Sequence, residues 1–341
     1  MPVRIGLDAT YSLGKHLSGV GVYSRELMLG LALAHPSKSF GFYYRPNRYL
    51  KSFSDRLPAN ARRHILYGTP RCGLFHSLNQ RLDFTAKLNV ATFHDLFVIS
   101  GAYSSPEFRA RFLQQARGAA ERSQAIIAVS RFTASQVETL LHVEPSRIHV
   151  IPHGVQIPAE RTGTSENVVL TAGVIQRRKN TGRLVKAFEK MPHGWRLVIA
   201  GATTGYGAAE ELRAVEHSPR RGDIELPGHV SREALNALYA RARIFAFPSL
   251  DEGFGMPVLE AMAHGVPVIT SNVSAMPEVA GDAALLVDPL REDELASALL
   301  RLANDEALRG ELRQRGLARA HLFPWRSAID ATWDVYQKLL T

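Results

Sequence analysis

Two glutamates lie in one short stretch of this 341-residue chain, "PSLDEGFGMPVLEAMAHG", which runs from Pro248 to Gly265. Glu252 stands among glycine and aspartate, and Glu260 follows eight residues later among apolar residues. Paired carboxylates suggest acid/base catalysis, but on one continuous helix these two side chains would point about 80° apart. The glycines between them also predict a bend before any helix begins. We therefore expect the two glutamates to bind different parts of one ligand.

The residues between the glutamates indicate what that ligand is. The apolar run "IFAFPS" predicts a strand, so "LDEGFG" is expected to form the loop at its carboxyl end. Pro257 suits the first turn of a helix, and Gly265 suits its end. Gly253 and Gly255 let the backbone approach a ligand, and the N–H groups at the helix start favour an anion. A carboxylate can bind a diol, so the stretch fits a nucleotide sugar, which carries a ribose diol, a diphosphate and sugar hydroxyls.

The composition is typical of soluble globular proteins. Apolar residues make up 45% of the chain and charged residues 21%, and the length suits two domains better than one. Cys72 is the only cysteine, which excludes an intrachain disulfide and a cysteine-based metal site and fits a reducing cytoplasm. The N-terminal residues are not typical of a signal peptide. The longest apolar run, "LMLGLALA" from Leu27, is far shorter than the roughly 20 residues of a membrane-spanning helix.

Strand-like and helix-like segments alternate in both halves of the sequence. Continuous apolar strands that end in glycine or polar residues predict two parallel sheets with helices on both faces, an α/β architecture. The polar stretch after His153 is the expected seam. The predicted domains are residues 1–158 and 159–324, followed by a helix at 325–341 that could return to the first domain. Two such domains are expected to bind their ligand in a cleft at the carboxyl ends of their strands.

The glutamate stretch resembles the signature of the retaining glycosyltransferases of family 4, whose two glutamates are likewise separated by seven residues. Other segments that resemble this family, in the family's order, are "SGVGVYSREL", "FHDL", "AVSRFTASQV", "VIPHGV", "AGVIQRRKN" and "GDAALLVDP". The resemblance covers nearly the whole chain. It implies the GT-B fold, in which two doubly wound Rossmann-like domains face each other across a cleft.

The resemblance implies roles for four charged residues. Glu252 would hold hydroxyls of the donor sugar, and Glu260 would hold the ribose of the nucleotide. Arg178 and Lys179, in "QRRKN", would neutralise the diphosphate as it becomes the leaving group. Many family members carry an arginine directly after the glycine that matches Gly173, where this chain has valine. The role of Arg178 therefore depends on a subgroup in which the arginine immediately precedes the lysine.

His94, in "ATFHDL", would lie against the transferred sugar and orient the reacting carbon, although a lone histidine at a strand end is more often structural. The implied catalytic set is His94, Glu252, Arg178 and Lys179. The residues implied for donor binding are Gly19, Gly21, Gly173, His229, Val230, Gly253, Phe254, Gly255, Met256, Val258 and Glu260.

The implied activity is transfer of a hexose from a nucleotide diphosphate sugar to a glycan or lipid-linked acceptor. Transfer would proceed with retention, without a metal ion or other cofactor, by a front-face route. "AGVIQRRKN" and "GDAALLVDP" are most similar to bacterial mannosyltransferases of polysaccharide assembly, which implies GDP-mannose. UDP-glucose and related donors remain open. Two readings from other classes also remain, a nucleotide-sugar epimerase of the same fold and a non-catalytic nucleotide-sugar-binding protein.

The formal charge of +9 is concentrated in the first half of the chain. Residues 1–158 hold 19 Lys and Arg against 9 Asp and Glu, whereas the remainder holds 22 against 23. The stretch from Arg45 to Arg63 mixes cations with aromatic residues, a composition that suits an anionic lipid interface. Nucleic acid is the competing anion, but no recognised RNA- or DNA-binding module accompanies the charge. We expect a cytoplasmic enzyme that docks reversibly on the inner membrane face; the alternative is a basic surface that only keeps the protein dispersed.

Overall fold

The chain folds into two compact α/β units. The computed structural model describes residues 5–14, 17–158 and 165–341. One unit comprises the chain up to Gly154 together with Phe323–Thr341, and the other comprises Val155–Leu322. Part of the expected seam, residues 159–164, lies outside the described residues. Each unit contains one parallel sheet, which confirms the predicted fold class.

Strands and helices alternate along most of the described chain. The strands are β1 (Ile5–Asp8), β2 (Phe40–Tyr44), β3 (Ala61–Ile65), β4 (Leu74–Ser77), β5 (Leu88–Phe93), β6 (Ala125–Ala128), β7 (Ile148–Val150), β8 (Val168–Ala172), β9 (Arg196–Ala200), β10 (Ile224–Gly228), β11 (Ile244–Phe247), β12 (Val268–Ser271) and β13 (Ala284–Val287). The helices are α1 (Gly19–Ala34), α2 (Pro46–Tyr49), α3 (Phe97–Ser100), α4 (Pro106–Arg122), α5 (Arg131–Leu141), α6 (Thr181–Phe188), α7 (Ala208–Glu216), α8 (Arg232–Arg241), α9 (Met256–Ala263), α10 (Met276–Ala280), α11 (Glu292–Asn304), α12 (Glu306–His321) and α13 (Trp325–Leu340).

The order of the strands gives each sheet one topological switch point. The first sheet has the order β3-β2-β1-β4-β5-β6-β7, and the second has the order β10-β9-β8-β11-β12-β13. The order reverses between β1 and β4 in the first sheet and between β8 and β11 in the second. Ligands of such sheets bind outside the carboxyl ends of the strands at this point. The loops after these four strands are therefore the places where functional side chains are expected.

The C-terminal helix α13 is part of the first unit. It packs against α1, where a Cβ added to Gly30 would overlap the side chain of Ile329. Trp333 and Tyr336 of α13 are buried in the same hydrophobic core as β1 and β2. This apolar face explains the amphipathic pattern of the last residues of the sequence.

Candidate active site

The loop after β11 holds Glu252 in a buried and strongly polar position. Its Oε1 lies 2.6 Å from Arg178 Nη1 and 2.5 Å from Lys179 Nζ. The same oxygen accepts a hydrogen bond of 2.7 Å from Ser249 Oγ. Burial raises the pKa of Glu252, but the two cations outweigh burial and lower that pKa to about 2. Glu252 is therefore ionised at neutral pH and forms the centre of a compact charged cluster.

Arg178 and Lys179 come from the loop after β8, the strand that pairs with β11. They belong to a short 3₁₀ helix, Arg177–Lys179, which ends at Asn180 with φ of 60°. Asparagine tolerates this left-handed conformation better than most residues. Its Nδ2 donates a hydrogen bond of 3.0 Å to the Pro248 carbonyl, which ties the two loops together. The structure thus brings together three residues that the sequence predicts for one site.

Both cations of this cluster are shielded from water. Arg178 is 8% exposed, and its Nη1 also donates to the Asp251 carbonyl at 2.7 Å. Lys179 Nζ lies 4.4 Å from the centroid of the Phe247 ring. Gly173, directly after β8, has φ of +136°, and a Cβ there would lie 3.6 Å from Lys179 Nζ. Two cations share one carboxylate, so the cluster has a net positive charge that suits a diphosphate.

Glu260 lies in α9 and has its own partners, as the bend between the two glutamates predicts. The side chain is buried, with Oε1 paired to Arg232 and Oε2 accepting a hydrogen bond of 3.1 Å from Tyr239 OH. Burial and the negative charge of Glu260 raise the pKa of Tyr239 well above its usual value. The phenol therefore stays protonated and holds the carboxylate in place.

The loop after β10 leads into α8, whose first residue pairs with Glu260. His229 on this loop is exposed and Val230 is half-buried. Ser231 then caps α8, and Arg232 follows as the first residue of that helix. The family resemblance implies donor binding for His229 and Val230 but assigns no role to Arg232. The sequence signal for Arg232 is its position two residues after Val230.

The segment between the glutamates presents backbone to a ligand. Phe254 is 3% exposed and Val258 is fully buried, so their side chains belong to the core. Gly255 has φ of +87°, a left-handed conformation that favours glycine. Helix α9 begins at Met256. The backbone of residues 253–258 is therefore the part of this segment that suits the expected donor contacts.

In the first unit, His94 directly follows β5 and is buried beside a second histidine. Its Nε2 donates a hydrogen bond of 2.9 Å to the Leu78 carbonyl, and its Nδ1 lies 3.3 Å from His153 Nε2. Because a carbonyl can only accept, Nε2 carries the proton of the neutral ring. Burial lowers the pKa of His94 to about 4. A neutral ring with both nitrogens committed favours orientation of a ligand over proton transfer.

The start of α1 lies beside the carboxyl end of β1. Ser18 caps this helix by accepting a hydrogen bond of 3.3 Å from Gly21 N. A Cβ on Gly21 would lie 2.8 Å from the Tyr11 carbonyl oxygen, so the close approach requires glycine. Gly19 is exposed and is the first residue of the helix. Packing against the protein therefore accounts for Gly21, whereas the exposed Gly19 leaves the helix start open to an anion.

Two protein-family models match the chain one after the other. The model described as "Glycosyltransferase Family 4" matches residues 19–157. The model described as "Glycosyl transferases group 1" matches residues 155–319. The chain belongs to the family 4 glycosyltransferases. The family inferred from the glutamate stretch is therefore confirmed.

Relatives of this glycosyltransferase include mannosyltransferases. It is 29% identical to "O-antigen chain mannosyltransferase B" of Escherichia coli, and the alignment covers 97% of this chain and 99% of that relative. It is 30% identical to "MMP alpha-(1->4)-mannosyltransferase" of Mycolicibacterium hassiacum, over 67% of this chain and 57% of that relative. It is 32% identical to "D-inositol 3-phosphate glycosyltransferase" of Xylanimonas cellulosilytica, over 63% of this chain and 57% of that relative.

Solved structures share the fold of this glycosyltransferase. Sucrose-phosphate synthase from Thermosynechococcus elongatus matches with a TM-score of 0.79 at 23% identity, over 99% of both chains. Anabaena HepE in complex with UDP-glucose matches with a TM-score of 0.77 at 15% identity, over 98% of this chain and 100% of that chain. At these identities the likeness shows the fold alone. The predicted GT-B fold, with two Rossmann-like domains, is confirmed.

Proposed function

We propose that this glycosyltransferase moves mannose from GDP-mannose to a glycan or lipid-linked acceptor, with retention of configuration. The observation that carries the proposal is the buried cluster of Glu252, Arg178 and Lys179 at the switch point of the second sheet. Its net positive charge suits a diphosphate leaving group, and the carboxylate can accept hydrogen bonds from hydroxyls of the attached sugar. The choice of mannose is supported by the Escherichia coli relative, whose whole length aligns with this chain.

The proposed chemistry uses the charges of this chain in place of a metal ion. As the bond between the sugar carbon and the diphosphate breaks, Arg178 and Lys179 stabilise the negative charge that develops on the leaving group. The acceptor oxygen forms its bond to that carbon on the same face, and its proton passes to a donor phosphate oxygen. His94 orients the reacting carbon without exchanging a proton, because both its ring nitrogens are engaged within the protein.

Incubation with a panel of nucleotide sugars tests this proposal. We expect GDP release from GDP-mannose to accelerate when a mannose oligosaccharide is present, and NMR of the product to show the anomeric configuration of the donor. Activity should persist after exhaustive chelation. Faster turnover with UDP-glucose would select the alternative donor. Rearrangement of the donor without an acceptor would select an epimerase, and binding without turnover would select a non-catalytic protein.

We also propose that the basic surface of the first unit docks on anionic lipid. Here Leu50, Phe53 and Tyr67 are 82%, 59% and 84% exposed. Exposed cations, including Arg48 and Lys51, lie among these apolar side chains. Cations contribute about 1 kcal/mol each near an anionic membrane, and apolar side chains add burial in the interface. Within the described segments, no helix is long and apolar enough to cross a membrane.

Sedimentation with vesicles tests the docking surface. We expect binding to need anionic lipid, to fall steeply between low and moderate salt, and to weaken strongly in the Arg48→Glu, Lys51→Glu double variant. Arg45 is unsuitable as a probe because its side chain pairs with an aspartate of the first unit. The matched control is Arg71→Glu with Lys87→Glu, which changes two exposed cations that precede β4 and β5. Absence of binding to anionic vesicles at low salt would contradict this part of the proposal.

A further inference from the structure

A second charged cluster lies at the switch point of the first sheet, and the proposed donor site does not use it. Arg81 and Asp83 follow β4, and Arg45 directly follows β2. Arg81 forms a two-pronged pair with Asp83, with Nε 2.9 Å from Oδ1 and Nη2 2.9 Å from Oδ2. Arg45 Nη2 lies 3.0 Å from Asp83 Oδ2. The buried Asp8, at the end of β1, interacts electrostatically with Arg45 and Asp83.

Arg45 is the most buried member of this cluster, whereas Arg81 and Asp83 are accessible to a ligand. The side chains of Arg81 and Asp83 are 39% and 32% exposed, whereas that of Arg45 is 18% exposed. Tyr11, in a short 3₁₀ helix after β1, is 39% exposed and close enough to interact electrostatically with Arg81. A guanidinium donates hydrogen bonds, a carboxylate accepts them, and an aromatic face covers apolar C–H groups. Together these groups match the mixed surface of a sugar ring.

Residues next to the cluster contact two residues of the first unit that are implied for donor binding or catalysis. On one side, the Tyr11 carbonyl makes the close approach to Gly21 at the start of α1. On the other side, Leu78 lies between β4 and Arg81, and its carbonyl accepts the hydrogen bond from His94. A sugar on the cluster would therefore lie next to the residues proposed for the phosphates and for the transferred sugar. This is where the acceptor of a transfer reaction has to bind.

We propose that Tyr11, Arg81 and Asp83 form the acceptor subsite and that this subsite takes the uncharged end of a glycan. The proposal rests on the proposed function of a glycosyltransferase that uses a nucleotide sugar. Arg45 and Arg81 both pair with Asp83, and the buried carboxyl of Asp8 interacts with Arg45, so two guanidinium groups are matched by two carboxyl groups. The donor cluster has one carboxylate, Glu252, for its two cations. A cluster with equal numbers of acidic and basic groups favours hydroxyl groups over a phosphate.

Ligand-observed NMR with a neutral mannose oligosaccharide, in the presence of GDP, tests the subsite directly. We expect Arg81→Ala and Asp83→Asn each to weaken oligosaccharide binding roughly tenfold or more, with GDP affinity unchanged. The matched control is Arg71→Ala, an exposed arginine before β4, at the opposite edge of the sheet. Tyr11→Ala is an independent test, because it leaves the ion pair of Arg81 and Asp83 intact and is also expected to weaken oligosaccharide binding.

Three results would overturn the subsite: no oligosaccharide binding by the wild type, wild-type binding by all three variants, or tighter binding of the same sugar as its 6-phosphate. A parallel transfer assay separates this inference from the proposed function. If no nucleotide sugar supports transfer and yet the variants lose oligosaccharide binding, the proposed function fails and the subsite stands. If the wild type transfers mannose and the variants retain its acceptor KM, the subsite fails and the function stands.

Discussion

Replacing Glu252 by glutamine is expected to lower sugar transfer by about 10- to 150-fold without weakening the binding of free GDP. The loss corresponds to one charge-assisted hydrogen bond to a sugar hydroxyl, worth about 1.5–3 kcal/mol. Glutamine keeps the shape of the side chain and an oxygen for Ser249, whose hydroxyl donates to this position at 2.7 Å. It also leaves Arg178 and Lys179 in place for the diphosphate.

Glu260→Gln is expected to do the reverse and weaken GDP binding by a similar factor, because Glu260 is proposed to hold the ribose. The structure supplies a control, since Oε1 of Glu260 is paired with Arg232. Arg232→Ala keeps the carboxylate of Glu260 and removes the guanidinium that competes with the ribose for it. GDP should therefore bind at least as tightly as in the wild type. Calorimetry with GDP alone compares the three variants. Equal loss of GDP affinity in the Glu252 and Glu260 variants would contradict the division of roles.

Local chemistry explains why the grouping of residues at the proposed donor site could be predicted in part. Glycine and proline between the glutamates indicate a bend and a helix start, and the structure places Glu252 in the loop and Glu260 in α9. The continuous apolar strands predict parallel sheets, and such sheets bind ligands at their carboxyl edge. The approach of Arg178 to Glu252 needs one further fact, that β8 pairs with β11, and the structure supplies it. The family resemblance implied only that both residues contact one donor.

Contacts between loops that are distant in the chain could not be predicted from the sequence. Arg81 and Asp83 look like ordinary surface residues until β1, β2 and β4 are known to be neighbours. Arg45 illustrates the same point, because its place in a basic stretch suggested contact with lipid, whereas the structure pairs it with Asp83. Nothing in the local sequence indicates a polar partner for Tyr239, yet its hydroxyl donates a hydrogen bond to Glu260. Such partners depend on strand order and side-chain direction, which no local pattern contains.

Lys179→Ala is expected to lower kcat by about 100-fold, with a smaller change in donor KM. The negative charge on the diphosphate grows as the bond to the sugar breaks, so a fixed cation stabilises the transition state more than the bound donor. The side chain of Lys179 is 13% exposed, which limits screening by water. Lys179 is a sharper test than Arg178 because its assignment does not depend on which arginine aligns with the family.

Two further variants separate the charge of Lys179 from its structural role. Lys179→Arg keeps the positive charge and should retain part of the wild-type kcat. If packing and not charge were responsible, Lys179→Arg would lose as much kcat as Lys179→Ala. Lys186→Ala removes the same charge from the exposed face of α6, where Lys186 pairs with Glu189, and should leave kcat unchanged. Thermal unfolding of the two Lys179 variants shows whether Arg178 and Ser249 still hold Glu252, since a large fall in Tm would indicate collapse of the cluster. Wild-type kcat in a stable Lys179→Ala variant would remove this lysine from the mechanism, and an equal loss in Lys186→Ala would point to the overall charge of the unit instead.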